Sequence, residues 1–248
     1  MTGHIIGVDI GGTGIKGAPV DPVTGELTAD RVRIETPRPA TPEAVARVVG
    51  EVITRLDVDG PVGLTLPAVV RSGIVRTASN IDPAWIGLNA AEAFAAAIGR
   101  PVGVVNDADA AGLAEMRYGA GVGNSGVVVM VTLGTGIGSA VFVDGVLVPN
   151  SELGHLPLHG GAAEDWAAES VREGEDLSWK KWAQRLEVYL GLLERVLWPD
   201  LVIIGGGVSK KADKFLPHID LDTRIVPATL LNNAGIVGAA LFAPPPAD

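Results

Sequence analysis

The sequence predicts an α/β protein whose two halves repeat one pattern, arranged as two lobes around a central cleft. Three observations carry that expectation. The tetrapeptide Gly-Thr-Gly-Ile occurs at 12–15 and again at 134–137. Each copy follows an apolar strand-like run and leads into a second one. Each strand–turn–strand unit then continues into a third strand and helices, and a repeat half a chain apart reads as an internal duplication rather than a short-period solenoid.

In order, residues 4–10 and 15–21 read as buried strands. The turn at 22–26 returns the chain into a third strand within 27–35, giving an antiparallel meander. Thr41-Pro42-Glu43 opens a helix, with Thr as N-cap, Pro at the first helical position and Glu favoured by the dipole. Val45, Val48, Val49, Val52, Ile53 and Leu56 recur at helical spacing. Strands are expected at 61–67, 73–77 and 101–107, a helix at 88–99 stopped by Gly99, and another at 108–118. The second half restarts with strands at 126–133, 137–144 and 145–150. A long helix at 178–198, a strand at 200–207 and a last helix from about Leu231 to Phe242 complete it. The expected lobes are a small N-terminal one, 1–107 with the C-terminal helix 231–248, and a larger one, 108–230.

Composition narrows the function. The 248 residues are 47% apolar and 19% charged, as in a soluble globular protein. A formal net charge of −10 disfavours nucleic-acid binding and leaves a polyanion only a local basic patch. There is no cysteine, which excludes disulfides and thiolate zinc sites. No apolar run is long enough to span a membrane and the first residues resemble no signal peptide, so a cytoplasmic location is expected.

Taken alone, each glycine turn is an ordinary tight hairpin, with glycine relieving a positive φ. Asp9 and Lys16 around the first copy open a second reading. There the backbone amides of Gly11, Gly12 and Gly14 and the Thr13 hydroxyl form a phosphate cradle, since small residues let amides approach the oxygens. Asp9 is then a partner for Mg²⁺ through water. The second copy has neither charge. It offers the amides of Gly134, Thr135 and Gly136 and the hydroxyls of Thr132, Thr135 and Ser139. Neither copy fits a P-loop or a dinucleotide fingerprint.

The segments DIGGTGIKG, VNDADAAGLAEMRYGAG (105–121), TLGTGIGSA, ELGH (152–155) and IIGGGVS (203–209) resemble, in this order, the ROK sugar kinases. That family belongs to the actin/hexokinase-like superfamily, and the resemblance spans about 4–242. It implies an actin-like (ribonuclease H-like) duplicated fold. The segments at 177–185 and 205–217 are most similar to the family's polyphosphate-using branch. The implied reaction is Mg²⁺-assisted transfer of a terminal phosphoryl from inorganic polyphosphate, ATP or both to the 6-OH of glucose. The alternative is a strictly ATP-dependent hexose kinase. The resemblance also implies a homodimer. A sugar-responsive repressor would carry an added DNA-binding domain, which is not expected ahead of a strand that begins near His4.

Asn106-Asp107 stands at a strand end before a helix, so either residue can cap that helix. By resemblance Asp107 is the general base for the sugar hydroxyl, with Asn106 on neighbouring hydroxyls. Asp109, two residues on, should face elsewhere. Asn80, Glu152 and His155 resemble the family's other sugar ligands, and amides and carboxylates suit vicinal hydroxyls. His155 and His159 have i,i+4 spacing, but Pro157 and Gly160 argue against a helix and hence against a metal pair. Many family members follow that histidine with a cysteine-rich zinc segment ending in another sugar-binding glutamate. Here there is no cysteine, and Glu164 rather than Glu169 is favoured as the replacement.

For the donor, Gly206, Gly207 and Lys210 lie at a strand end and expected helix start, an anion-friendly place that in the family touches adenosine. Lys180, Lys181 and Arg185 on one expected helix and Lys210, Lys211 and Lys214 on another gather much of the positive charge. The i,i+4 pairs Lys181/Arg185 and Lys210/Lys214 would each share a helix face. They read either as a solvated surface or as a cationic track for polyphosphate. Trp179 and Trp182 read as core.

Overall fold

The computed structural model describes residues 4–78 and 81–245. The chain divides into two compact units, 1–114 with 233–248, and 115–232. The first division falls within a helix rather than before it. The first unit therefore keeps about two turns of that helix and is not the smaller of the two.

The first unit opens with β1 (Ile5–Ile10), β2 (Ile15–Val20) and β3 (Val32–Ile34), joined antiparallel. Next come α1 (Pro42–Leu56), β4 (Val62–Leu66), the short hairpin β5 (Val70–Arg71) and β6 (Ile74–Val75), α2 (Ala90–Ile98), β7 (Val102–Asn106) and α3 (Asp107–Tyr118). The sheet order is β3-β2-β1-β4-β7, with β4 and β7 parallel to β1. Thr41 caps α1, its hydroxyl accepting the Ala44 N–H at 3.3 Å, and Pro42 takes the first helical position. The strand expected at 73–77 is reduced to two residues.

The second unit contains β8 (Val127–Leu133), β9 (Ile137–Val143), β10 (Val146–Val148), the hairpin β11 (Pro157–Leu158) and β12 (Gly161–Ala162), α4 (Glu164–Ala167) and α5 (Glu169–Gly174). It continues with α6 (Trp179–Leu197), β13 (Leu201–Gly205) and β14 (Arg224–Pro227). Its sheet order, β10-β9-β8-β13-β14, repeats that of the first: an antiparallel meander read backwards, then two parallel strands. The duplication is therefore real at the level of topology. Ser178 caps α6, and the core beneath it is built on Trp182, Leu186, Tyr189, Leu190 and Phe215.

Helix α7 (Ala234–Leu241) returns to the first unit and lies on β1 and β4. Three glycines in register across adjacent strands, Gly7, Gly63 and Gly103, make the trough that receives it. An added Cβ at any of the three would collide with the backbone carbonyl of Ile236, Ala239 or Phe242. At the start of α7, a Cβ on Gly235 would come 2.8 Å from the Asp9 carboxylate, so the helix can seat only because that position is glycine. The trough thus fixes the wall behind the first candidate site residue.

One strand was not anticipated and one expectation is corrected. Strand β14 matches none of the expected elements. Residues 207–214 form a 3-10 segment with a kink at Lys211 (φ −116°, ψ 23°), not an α-helix. Lys210 and Lys214 therefore do not share an α-helical face.

Candidate active site

In the first unit, the glycine turn joins β1 to β2 as a hairpin, with the Gly11 N–H donating to Gly14 O at 3.1 Å. The second turn, between β8 and β9, closes likewise from Gly134 N–H to Gly136 O at 3.1 Å. The expected reason for glycine does not hold, because Gly11, Gly12, Gly14, Gly134 and Gly136 are absent from the positive-φ residues among those described. At two of them the end of a side chain already fills the place of a Cβ. A Cβ on Gly14 would meet the Arg33 guanidinium at 2.8 Å, and one on Gly136 the Glu164 carboxylate. At Gly12 and Gly134 a Cβ would meet nothing within 4 Å, so the protein's own packing does not require glycine there. A bare backbone facing open space is what an approaching phosphate oxygen needs.

Asp9 and Lys16 stand directly opposite each other across β1 and β2, with Lys16 Nζ 3.6 Å from Asp9 Oδ2. Asp9 Oδ1 accepts from the Thr65 hydroxyl at 3.1 Å, and that hydroxyl accepts the Ile10 N–H at 2.9 Å. Arg33 sits opposite Lys16 on β3 and donates to Thr13 O at 3.1 Å. It adds a cation at the first turn that the sequence reading missed, although the alternation along β3 would place it there.

Asn106 is the cap of α3. It is buried, its Oδ1 accepts the N–H groups of Ala108 (2.8 Å) and Asp109 (3.1 Å), and its Nδ2 donates to Ala68 O at 3.2 Å. With both oxygen lone pairs and one amide hydrogen committed, Asn106 keeps a single N–H to offer a sugar. Asp107 is the exposed first residue of α3, and its Oδ1 also accepts the Ala108 N–H at 2.9 Å. Asp109 is buried, only 1% exposed, so the two carboxylates do part as expected. Asn80 lies outside the described residues.

In the second unit, Glu152, His155 and Glu164 come together. His155 Nε2 is 3.3 Å from Glu164 Oε1, and Glu164 Oε2 accepts the Ile137 N–H at 3.0 Å, tying the group to the second glycine turn. Burial pushes the Glu152 carboxyl above its ordinary range; His155 pulls it down and Glu164 pushes it up. Glu169 is elsewhere, at the start of α5 near Arg172 and Lys211. Its neighbour Ser170 buttresses the second turn, donating N–H to Gly134 O at 3.0 Å and hydroxyl to Thr135 O at 2.6 Å. Ser139 is buried and committed to Ser151 O and the Leu153 N–H, which corrects its reading as a phosphate hydroxyl. His159 lies between β11 and β12 with φ 50° and packs on Trp166, so no helix pairs it with His155.

Gly206 turns out of β13 with φ 82°, and a Cβ there would strike the Leu133 backbone. Gly207 and Lys210 follow it, both exposed. Arg185 is not available for a track: it holds Glu175 at 2.6 Å and donates to Trp166 O at 3.1 Å. Trp182 is core as expected, whereas Trp179 is only partly buried.

No group of three or more His, Asp or Glu suited to a metal occurs among the described residues. A Mg²⁺ that travels with a phosphate donor needs only one or two protein carboxylates and keeps several waters, and Asp9 beside the first turn is a carboxylate that could serve it. No helix among the described residues is long and apolar enough to cross a membrane.

Two sheets of one topology, each carrying a glycine hairpin at the same step, define a duplicated α/β phosphotransferase of the actin-like class. Residues 5–168 match the model of the ROK family, and the chain belongs to that family. It is 53% identical over 239 residues to a polyphosphate glucokinase of Mycobacterium tuberculosis, covering 96% of this chain and 90% of that protein. An inorganic polyphosphate/ATP-glucomannokinase from Arthrobacter sp. strain KM superposes with a TM-score of 0.92 at 50% identity, covering 96% of this chain and 97% of that one. A ROK family glucokinase from Streptomyces griseus, solved with glucose and AMPPNP, superposes at 0.84 with 25% identity over 97% and 99% of the two chains.

Proposed function

We propose that this chain is a polyphosphate glucokinase, transferring the terminal phosphoryl of inorganic polyphosphate to the 6-hydroxyl of glucose. The likeness to enzymes of that activity, at about half the residues over nearly the whole chain, supports the donor and the acceptor. The observation that carries the chemistry is the division of labour at α3. Asn106 Oδ1 takes two amides at the start of α3, and beside it the exposed Asp107 carboxylate accepts the Ala108 N–H.

Asp107 takes the proton of the 6-hydroxyl as its oxygen bonds to the terminal phosphorus, while the bridging P–O bond to the rest of the donor breaks. Glu152, His155 and Glu164 hold the sugar's other hydroxyls, joined by Asn80 and the one remaining N–H of Asn106. The amides at Gly11–Gly14 and Gly134–Gly136, with Lys16 and Arg33, receive phosphate oxygens. Gly206, Gly207 and Lys210 receive the donor farther along. Mg²⁺ held through water by Asp9 would neutralise charge on the donor phosphates. ATP presents the same reacting phosphoryl and serves as a second donor. We place the enzyme in the cytoplasm and expect a homodimer, supported by exposed Val188, Val196 and Trp198 along α6 and its cap. Formation of glucose 6-phosphate from glucose with polyphosphate as sole donor tests the reading; turnover with ATP alone would replace it.

A further inference from the structure

The second glycine turn has four N–H groups to place, those of Gly134, Thr135, Gly136 and Ile137. That of Gly134 closes the hairpin on Gly136 O, and that of Ile137 goes to Glu164 Oε2. The N–H groups of Thr135 and Gly136 have no partner among the described residues. Thr135 is exposed, and a Cβ on Gly134 would meet nothing within 4 Å, so the turn is open to an approaching group.

The direction of those two amides is set from outside the hairpin by one residue. Ser170, the second residue of α5, donates its N–H to Gly134 O at 3.0 Å and its hydroxyl to Thr135 O at 2.6 Å. Its N–H lies in the first turn of α5, where no carbonyl of the helix can take it. Across a planar trans peptide, a carbonyl and the N–H that follows it point opposite ways. Gly134 O turned towards Ser170 therefore aims the Thr135 N–H away from Ser170, and Thr135 O does the same for the Gly136 N–H. The hairpin does not need this help to form, since β8 and β9 pair from Val127 through Leu133 and Gly134 closes the end.

The first turn reaches the same result with different chemistry. Thr13, the counterpart of Thr135 in the repeated tetrapeptide, has its carbonyl held by Arg33 Nη2 at 3.1 Å. Gly11 O accepts the Thr36 hydroxyl at 2.5 Å. What the two copies share is a threonine carbonyl fixed from outside, and with it the aim of the next amide.

We propose that Ser170 is a positioning residue for phosphoryl transfer, presenting the Thr135 and Gly136 N–H groups to an oxygen of the phosphate donor. The inference rests on the second turn as a phosphate receiver, and deepens that reading. Two successive amides turned to one side suit an anion oxygen, and donors already fixed need no reorganisation as charge moves during transfer. Ser170 acts only through the turn. Without its hydroxyl the peptide between Thr135 and Gly136 can rotate, and the Gly136 N–H loses its aim.

The test compares Ser170→Ala, which removes the hydroxyl bond and keeps the backbone one, with Ser170→Thr, which keeps both. In the full chain with Mg²⁺, kcat/KM for the phosphate donor should fall about five-fold in Ser170→Ala, the loss of one aligned hydrogen bond. The glucose KM should change by less than about two-fold, and Ser170→Thr should recover the donor value to within about two-fold. Binding of inorganic tripolyphosphate, followed by calorimetry, should weaken about five-fold in Ser170→Ala and recover in Ser170→Thr. An unchanged donor kcat/KM or tripolyphosphate affinity in Ser170→Ala would overturn the role. So would equal changes in the donor and glucose constants, the mark of a general loss of structure. Polyphosphate and ATP run in parallel separate this inference from the donor assignment. Turnover with ATP alone would remove polyphosphate as donor, yet a five-fold fall for ATP in Ser170→Ala would leave the role of Ser170 standing.

Discussion

One carboxylate, Glu164, joins the second glycine turn to a histidine: its Oε2 accepts the Ile137 N–H at 3.0 Å while its Oε1 lies 3.3 Å from His155 Nε2. Glu164→Gln keeps an acceptor for the amide but removes the charge beside the imidazole. It should raise the glucose KM about ten-fold, near the low end of the roughly 1.5–3 kcal/mol of a hydrogen bond to a charged group, with little change in thermal midpoint. Glu164→Ala leaves the Ile137 N–H without its acceptor and should also cost about 1–3 kcal/mol of stability, read by urea denaturation.

Asn106 caps α3, and its neighbour Asp107 is the base of the proposed reaction. Asp107→Asn should lower kcat by about 10²–10⁴ while glucose still binds. Asn106→Ala removes the cap that satisfies the first amides of α3 and should cost about 0.5–2 kcal/mol in denaturation. A near-normal kcat in Asp107→Asn would end its role as base.

Much of this was legible in the sequence. Thr41-Pro42, Gly99 and Ser178 mark helix ends by local rules, and the repeated glycine turn gave the duplication that the sheet orders display. The sequence favours Glu164 over Glu169, and the structure sets Glu164 beside His155. What stayed hidden depends on distant partners. Asn106 caps α3 because Ala68 fixes its amide, and Ser139 is consumed by Ser151 and Leu153. Short β14 ends in proline and carries no alternation strong enough to mark it. The glycine turns misled on mechanism, since periodicity cannot tell a glycine needed for φ from one needed for space.

The raised Glu152 carboxyl predicts a pH effect. A group that holds its proton more tightly when folded makes the native state bind more protons, so stability falls as pH rises from the unfolded value of about 4.5. Wild type should therefore lose some stability just above pH 4.5 that Glu152→Gln does not lose. Denaturation midpoints of the two from pH 4 to 6.5 should converge at the acid end and separate above it. Parallel curves would contradict the burial that raises this carboxyl.

Asp9 ties Lys16, Thr65 and the proposed Mg²⁺ together. Chelation by EDTA should abolish turnover and added Mg²⁺ restore it. Asp9→Asn keeps an oxygen for the Thr65 hydroxyl and should raise the Mg²⁺ concentration needed for half-maximal rate. An unchanged Mg²⁺ requirement in that variant would move the metal elsewhere.

The most direct measurement follows glucose 6-phosphate with nucleotide-free enzyme, Mg²⁺ and glucose, supplying either polyphosphate or ATP at equal terminal-phosphate concentration. Polyphosphate should sustain turnover by itself, with a higher kcat/KM than ATP. Product formed from ATP and none from polyphosphate would contradict the assignment.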